Sequence, residues 1–309
     1  METMKAFEVK KILVPTDFSE TAGNALRQVI QIAKINQAEI VLLHIVTPFY
    51  ITPKKQKSPA KYNNYQALFN KTIKVAEIEL TNISREIEEK NQIKVVCIVK
   101  VELVIDEAIC NVAKEEKVDL IVMGTHGTAD VRALYAGKNT YLVVHSAECP
   151  VLTISKKTDK LGLKNIILPL RLEYSSRQKV DYTVQIARLF DSTIFITGYT
   201  DDTNKSKQNK VEQYVNQVAN YLSKLNIKHK STSIFSENFT KEMLEYARKN
   251  KADLIVIMKK HDFSLNQMVK GTYSKQFVNR SEIPILSISV YSNPDTIDNF
   301  SLLVGDVPF

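Results

Sequence analysis

The chain repeats itself, and this constrains its fold more than any single motif. KKILVP (10–15) returns as KNIILP (164–169), 154 residues later. The same separation pairs QIAKI (31–35) with QIARL (185–189) and AEIVLLHIV (38–46) with STIFITGYT (192–200). Further along it falls to 134, pairing VDLIVM (118–123) with ADLIVI (252–257), Gly137 with Gly271, and CPVLTIS (149–155) with IPILSIS (283–289). The first copy therefore carries 20 extra residues between its second strand and about residue 93. Collinear matches over nearly the whole chain point to duplication of a unit of about 145 residues. The 309-residue length also favours two domains over one. The expected boundary lies in the polar segment KKTDKLGLK (156–164), giving domains over 1–157 and 158–292 and a tail over 293–309.

Within a unit, short apolar runs alternate with segments of helical period. Lys11–Pro15 reads as a strand, and Ala25, Val29, Ile32 and Ala33 mark a helix over 20–35. Ile40–Val46 is nearly continuous apolar sequence, as in a strand buried on both faces. Phe69, Ile73, Ala76, Leu80, Ile83 and Ile87 step 4-3-4-3-4 along a long amphipathic helix. A strand over Ile93–Val101, a helix over 105–116, a strand at Leu120–Met123, a helix near 139–147 and a strand at Val151–Ser155 complete the unit. Such alternation predicts an α/β fold with a doubly wound parallel sheet, which takes ligands at the carboxyl ends of its strands where strand order reverses.

Three of the eight glycines, Gly124, Gly127 and Gly137, follow the strand Leu120–Met123 directly in a G-x2-G-x9-G array. Glycine lets backbone N–H groups approach an anion without a Cβ in the way. A helix start at Gly137–Asn139 adds free N–H groups and a favourable dipole, and Thr140 adds a hydroxyl. Tight αβ connections also use glycines, so the spacing leaves a purely structural reading open. The array is neither a Walker A loop, since Asn139 follows Lys138 and position 132 is Arg, nor a G-x-G-x-x-G fingerprint.

KILVPTDFSE (11–20), MGTHG (123–127), Gly137 and SAECPVLTI (146–154) together resemble the universal stress protein family over about residues 8–156. The resemblance implies two tandem Rossmann-like domains, each a five-stranded parallel sheet with helices on both sides. It also implies ATP, with Mg as companion ion, held by Gly124, Gly127 and Gly137 with help from Lys138, Asn139 and Thr140. Pro15, Thr16 and Asp17 would contact the nucleoside side and Ile45 would line the adenine. Independently of any family, Asp17, Ile45 and Gly124 all fall at carboxyl ends of expected strands and could converge on one crevice. Asp17 also suits a helix N-cap, and Ile45 a core position. Lys138 stands where ATP-binding members carry Ser or Thr, and Glu102 where members commonly carry glycine.

The second copy has lost this chemistry. Arg171 replaces Asp17, Met258 replaces Gly124 and His261 replaces Gly127; only Gly271 survives. Its expected role is structural. The last strands, Val151–Ser155 and Ile285–Ser289, are expected at sheet edges, where the resemblance implies pairing into an intramolecular pseudo-dimer, with a homodimer as a further option. The loop Pro53–Lys61 reads as a solvated connection, and the tail 291–309 is apolar enough to dock on the body or a partner.

The function expected is a regulatory, stress-response protein that binds an adenine nucleotide. The alternative is a nucleotide-independent scaffold of the same fold. No residue set nominates itself as a catalytic base, so slow ATP hydrolysis is the most an enzyme reading supports. A balance of 42 basic to 34 acidic residues, net +8, with no groove-reading motif does not point to nucleic acid. No apolar run approaches the ~20 residues of a membrane span. Three cysteines, Cys97, Cys110 and Cys149, without CxxC spacing suggest neither disulfides nor metal. Cytoplasmic location is the expectation.

Overall fold

The computed structural model of the chain describes residues 9–48, 59–125, 138–158, 162–172, 175–259, 277 and 281–289. The tail 291–309 and residues 53–58 lie outside them. The first half runs β1 (Lys11–Pro15), α1 (Glu20–Asn36), β2 (Glu39–Val46), α2 (Pro59–Asn91), β3 (Val95–Val101), α3 (Ile105–Glu115), β4 (Leu120–Gly124), α4 (Lys138–Ser146) and β5 (Val151–Ile154). The second half runs β6 (Asn165–Leu170), α5 (Ser175–Phe190), β7 (Thr193–Thr200), α6 (Lys205–Lys224), β8 (His229–Phe235), α7 (Phe239–Lys249), β9 (Leu254–Lys259) and β10 (Ile285–Ser289).

The strands form a ten-stranded sheet in the order β3-β2-β1-β4-β5-β10-β9-β6-β7-β8. Within each half the pairing is parallel. At the centre β5 meets β10 antiparallel, with Leu152 opposite Leu286. The strands expected at sheet edges thus cover each other, and the outer edges fall to β3 and β8. One core packs α1, α2, α5 and α6 on one face through residues such as Val29, Leu80, Val180 and Val218. A second core packs α3, α4 and α7 on the other through Ile109, Val143 and Met243.

Duplication extends to the backbone. Gln37 and Asp191 occupy matching positions and both adopt positive φ, 52° and 49°. The same holds for Gln92 with Asn226 and for Lys117 with Lys251. These turns end helices, where a left-handed residue lets the chain reverse into the next strand. Asp119 accepts from the Lys10 and Lys11 amides at 2.8 and 2.9 Å. Its counterpart Asp253 accepts from Lys164 and Asn165 at 2.9 and 2.8 Å. Each carboxylate satisfies two N–H groups at the entry to its half's first strand.

Helix starts follow from capping. Ser19 Oγ accepts from Ala22 N at 3.2 Å to open α1, and Asn204 Oδ1 accepts from Ser206 N at 2.8 Å to open α6. α2 begins at Pro59, inside the segment expected as a loop. Proline suits the first helical turn because its missing N–H would have no helical partner there.

Candidate functional site

In the first half, β1→β2→β3 proceeds to one side of β1 and β4→β5 to the other, so strand order reverses between β1 and β4. Their carboxyl ends carry Pro15 and Gly124 respectively. The turn after β1 is anchored to β2: Thr16 N donates to the Leu43 carbonyl at 2.8 Å, and His44 Nδ1 donates to the Thr16 carbonyl at 2.8 Å. Because a carbonyl only accepts, this bond requires a proton on Nδ1. Phe18 sits at φ 61° and its ring lies 4.6 Å from that of His44. Left-handed backbone is uncommon for a residue of this size. It is supported by the Phe18 amide donating to Thr16 Oγ1 at 3.0 Å.

Asp17 is half-buried, and its Oδ1 accepts from Ser19 N at 3.1 Å. The helix cap is Ser19, so Asp17 stabilises the turn ahead of the cap instead of being the cap. Ile45 is half-buried and packs against the core beneath α3 and α4. His44 and Phe18, which hold the Asp17 turn against β2, escaped the sequence reading. A histidine among apolar residues in a strand gives no hint that it faces a loop.

Gly124 has a packing reason to be glycine. A Cβ built there would lie 2.6 Å from Thr21 Cγ2 and 3.2 Å from the Thr21 backbone carbonyl. β4 therefore ends hard against the first turn of α1. The Thr140 hydroxyl donates to the Gly124 carbonyl at 3.0 Å, and Thr140 is buried. This bond ties the first turn of α4 to the end of β4. Asn139 is half-buried. Lys138 opens α4, but its side chain, like Gly127, Gly137 and His126, lies outside the described residues. The structure thus brings the ends of β1, β2 and β4 and the start of α4 to one end of the sheet. Free N–H groups of a helix's first turn favour an anion there.

The equivalent crevice of the second half is filled. Tyr199 occupies the place of Ile45, and Phe239 that of Ile105. Tyr199 is 1% exposed, lies 4.1 Å ring to ring from Phe239, and donates its hydroxyl to the Ser236 carbonyl at 2.6 Å. Phe239 in turn meets Phe277 edge-on at 5.4 Å. Arg171, the counterpart of Asp17, lays its guanidinium over both Tyr199 and Phe239, 5.4 and 5.9 Å from the ring centres, and reaches to 3.9 Å from Asp201. Of the replacements visible in the repeat, Arg171 takes part in this filling; Met258 is half-buried in β9 and His261 lies outside the described residues. The Ile45-to-Tyr199 exchange was visible in the repeat, but only the fold aims the ring into the crevice.

Where the two halves meet, Lys259 is 1% exposed and donates to the Ala147 carbonyl just past the end of α4. Ser289 Oγ sits 2.9 Å from the Glu148 carbonyl. The ammonium thus satisfies a carbonyl at the end of α4, and burial lowers the Lys259 pKa to about 8. Burial pushes the thiols of nearby Cys110 and Cys149 up to about 11, so both are protonated and inert at neutral pH.

Residues 8–155 match the model of the universal stress protein family. A universal stress protein of Methanocaldococcus jannaschii is 32% identical over 160 residues, covering 48% of this chain and 96% of that protein. A second from the same organism is 31% identical over 153 residues, covering 48% of this chain and 82% of that protein. A universal stress protein structure from Archaeoglobus fulgidus shares the fold across both halves, with a TM-score of 0.71 over 93% of this chain and 100% of that one at 17% identity. Motif spacing, duplicated doubly wound topology and these relatives lead to one assignment: the chain belongs to the universal stress protein family.

Proposed function

We propose that this protein binds an adenine nucleotide, ATP with Mg, in the crevice of its first half and acts as a regulatory stress-response protein of the cytoplasm. One observation carries the reading. The G-x2-G-x9-G array leaves β4 at the switch point between β1 and β4, where the Asp17 turn, Ile45 and the first turn of α4 also end. In this reading the backbone amides around Gly124, Gly127 and Gly137 take the phosphates, with Lys138 as a point charge and Asn139 and Thr140 beside it. Pro15, Thr16 and Asp17 meet the nucleoside, and Ile45 lies under the base. His44 and Phe18 hold the Asp17 turn in place. Bound ATP would supply a triphosphate charge; the chain's own groups bind and orient it, and no residue is assigned a proton-transfer step.

The second half, over 158–292, is read as a non-binding partner domain whose crevice Tyr199, Phe239 and Arg171 occupy. It pairs with the first domain, 1–157, as an intramolecular pseudo-dimer; the β5–β10 ladder supports this. A nucleotide-independent scaffold is the second reading. It is favoured by Lys138 in place of a hydroxyl residue and by the Thr140 hydroxyl already donating to Gly124. Among the described residues no helix is long and apolar enough to cross a membrane.

Mass spectrometry of small molecules released from freshly purified protein, followed by ATP titration, decides between the two. Wild type is expected to bind one adenine nucleotide per chain, and Gly127→Val to abolish binding. Lys138→Ser separates a phosphate-facing lysine, whose loss weakens ATP more than AMP, from a solvent-facing one. No binding at millimolar ATP selects the scaffold reading, and binding unchanged in Gly127→Val displaces the site.

A further inference from the structure

The two outer edges of the sheet occupy matching positions, yet they differ in chemistry. β8 reads His229-Lys230-Ser231-Thr232-Ser233-Ile234-Phe235 where β3 reads Val95-Val96-Cys97-Ile98-Val99-Lys100-Val101. The fold tolerates a polar strand at this position, since β8 is one. Val95 and Val99 pack on the α2 side of the sheet and Val96 and Ile98 on the α3 side, so the apolar surface that β3 leaves open lies at and beyond its end. The contrast continues around the strand. In the first half Leu68, Val75 and Ile78 on α2, and Val101, Leu103 and Val104 at the end of β3, are exposed large apolar residues. At the matching edge of the second half, among the described residues, only Phe235 is. Unprotected apolar edges template strand addition, and proteins blunt them unless they are used. Among the described strands β5 and β10 cover each other, which leaves β3, with Lys100 as its one charged residue, as the more apolar outer edge.

We infer that β3 is the interface through which two copies of this chain associate, by antiparallel β3–β3 pairing about a two-fold axis at Ile98. Charge complementarity selects a second copy as the occupant, and it selects the register. With Ile98 opposite itself, Lys94 falls opposite Glu102 of the second copy, and the two-fold repeats this pair. Both residues flank the strand and are exposed. Val95 then opposes Val101, Cys97 opposes Val99, and Val96 opposes Lys100, whose ammonium pairs with Glu115 of its own chain at 3.2 Å. Centring on Cys97 instead would set Lys94 against Lys100, and centring on Val99 would set Lys94 against Val104, so that neither places an opposite charge directly across from it. An isologous interface needs this kind of self-complementarity, and opposite charges across antiparallel strands stabilise while like charges destabilise. Lys94 also pairs with Glu39 of its own chain at 2.6 Å, which holds the ammonium at the strand end.

Light scattering coupled to size exclusion on the full chain tests this. Wild type is expected as a concentration-dependent dimer. Glu102→Lys places lysine against lysine twice and should weaken association about tenfold; Lys94→Glu should do the same by setting glutamate against glutamate. Mixing the two variants restores both attractive pairs and should recover the dimer as a heterodimer. Val101→Lys, at an exposed position, should also give monomers with an unchanged circular dichroism spectrum, whereas Leu189→Lys, exposed but far along the sheet, should not. A monomeric wild type, a dimer indifferent to Glu102→Lys and Val101→Lys, or a mixture that fails to recover would each overturn the proposal. None of these outcomes depends on nucleotide binding.

Discussion

The packing of Gly124 and its proposed contact with a phosphate make different predictions when the glycine is replaced. If its only task were to open the backbone to a phosphate, alanine there would cost nothing until ligand was added. The structure instead puts the new Cβ 2.6 Å from Thr21 Cγ2 and 3.2 Å from Thr21 backbone atoms. The first contact is far inside van der Waals range, so α1 or β4 must shift. Overpacking of this kind typically costs about 1–3 kcal/mol. Gly124→Ala should therefore lower stability by that amount in urea titration without nucleotide. Thr21→Ser deletes the offending methyl but leaves the 3.2 Å backbone contact. The double variant Thr21→Ser/Gly124→Ala should thus recover more than half of the loss, a coupling of about 1 kcal/mol in a double-mutant cycle. The second half suggests this route, since Met258 stands for Gly124 and Ser175 for Thr21. Additive costs, or a Gly124→Ala protein as stable as wild type, would refute the packing argument and leave the ligand as the sole reason for the glycine.

Tyr199→Phe removes the hydroxyl that donates to the Ser236 carbonyl at 2.6 Å and should cost about 0.5–1.5 kcal/mol by denaturant melts. Tyr199→Ala should cost about 3–5 kcal/mol by leaving a cavity beside Phe239. Asp253→Ala strands two N–H groups at the start of β6 and should lose about 1–3 kcal/mol, with Asp253→Asn recovering part, since its amide oxygen still accepts. Lys259 titrates near 8 in the folded chain against 10.5 unfolded, so above pH 8 the unfolded chain holds the extra proton. Stability should therefore rise by about 1 kcal/mol from pH 7.5 to 9, and Lys259→Met should abolish the rise. Above pH 9 the raised Cys110 and Cys149 thiols keep protons that the unfolded chain releases, so their contribution falls with pH and the curve should flatten.

Local periodicity and the duplicated segments were enough to read the alternation of strands and helices, the fold class and the elements that carry Asp17, Ile45 and Gly124. Strands buried on both faces have to be apolar runs, helices lying on them have to be amphipathic, and copying a unit copies both patterns. The pairing of β5 with β10 was an expectation from the family resemblance and not from periodicity, because edge pairing depends on which strand is outermost and what faces it. The filling of the second crevice was beyond such a reading: Tyr199, Phe239 and Arg171 are far apart in sequence, and only the parallel stacking of β6, β7 and α7 stacks their side chains together. The close approach of β4 to α1 that constrains Gly124, and the reach of His44 across to the Thr16 carbonyl, likewise arise from distances between separate elements. A sequence records which residues follow one another. Contact across a sheet is settled by packing the whole chain into one volume.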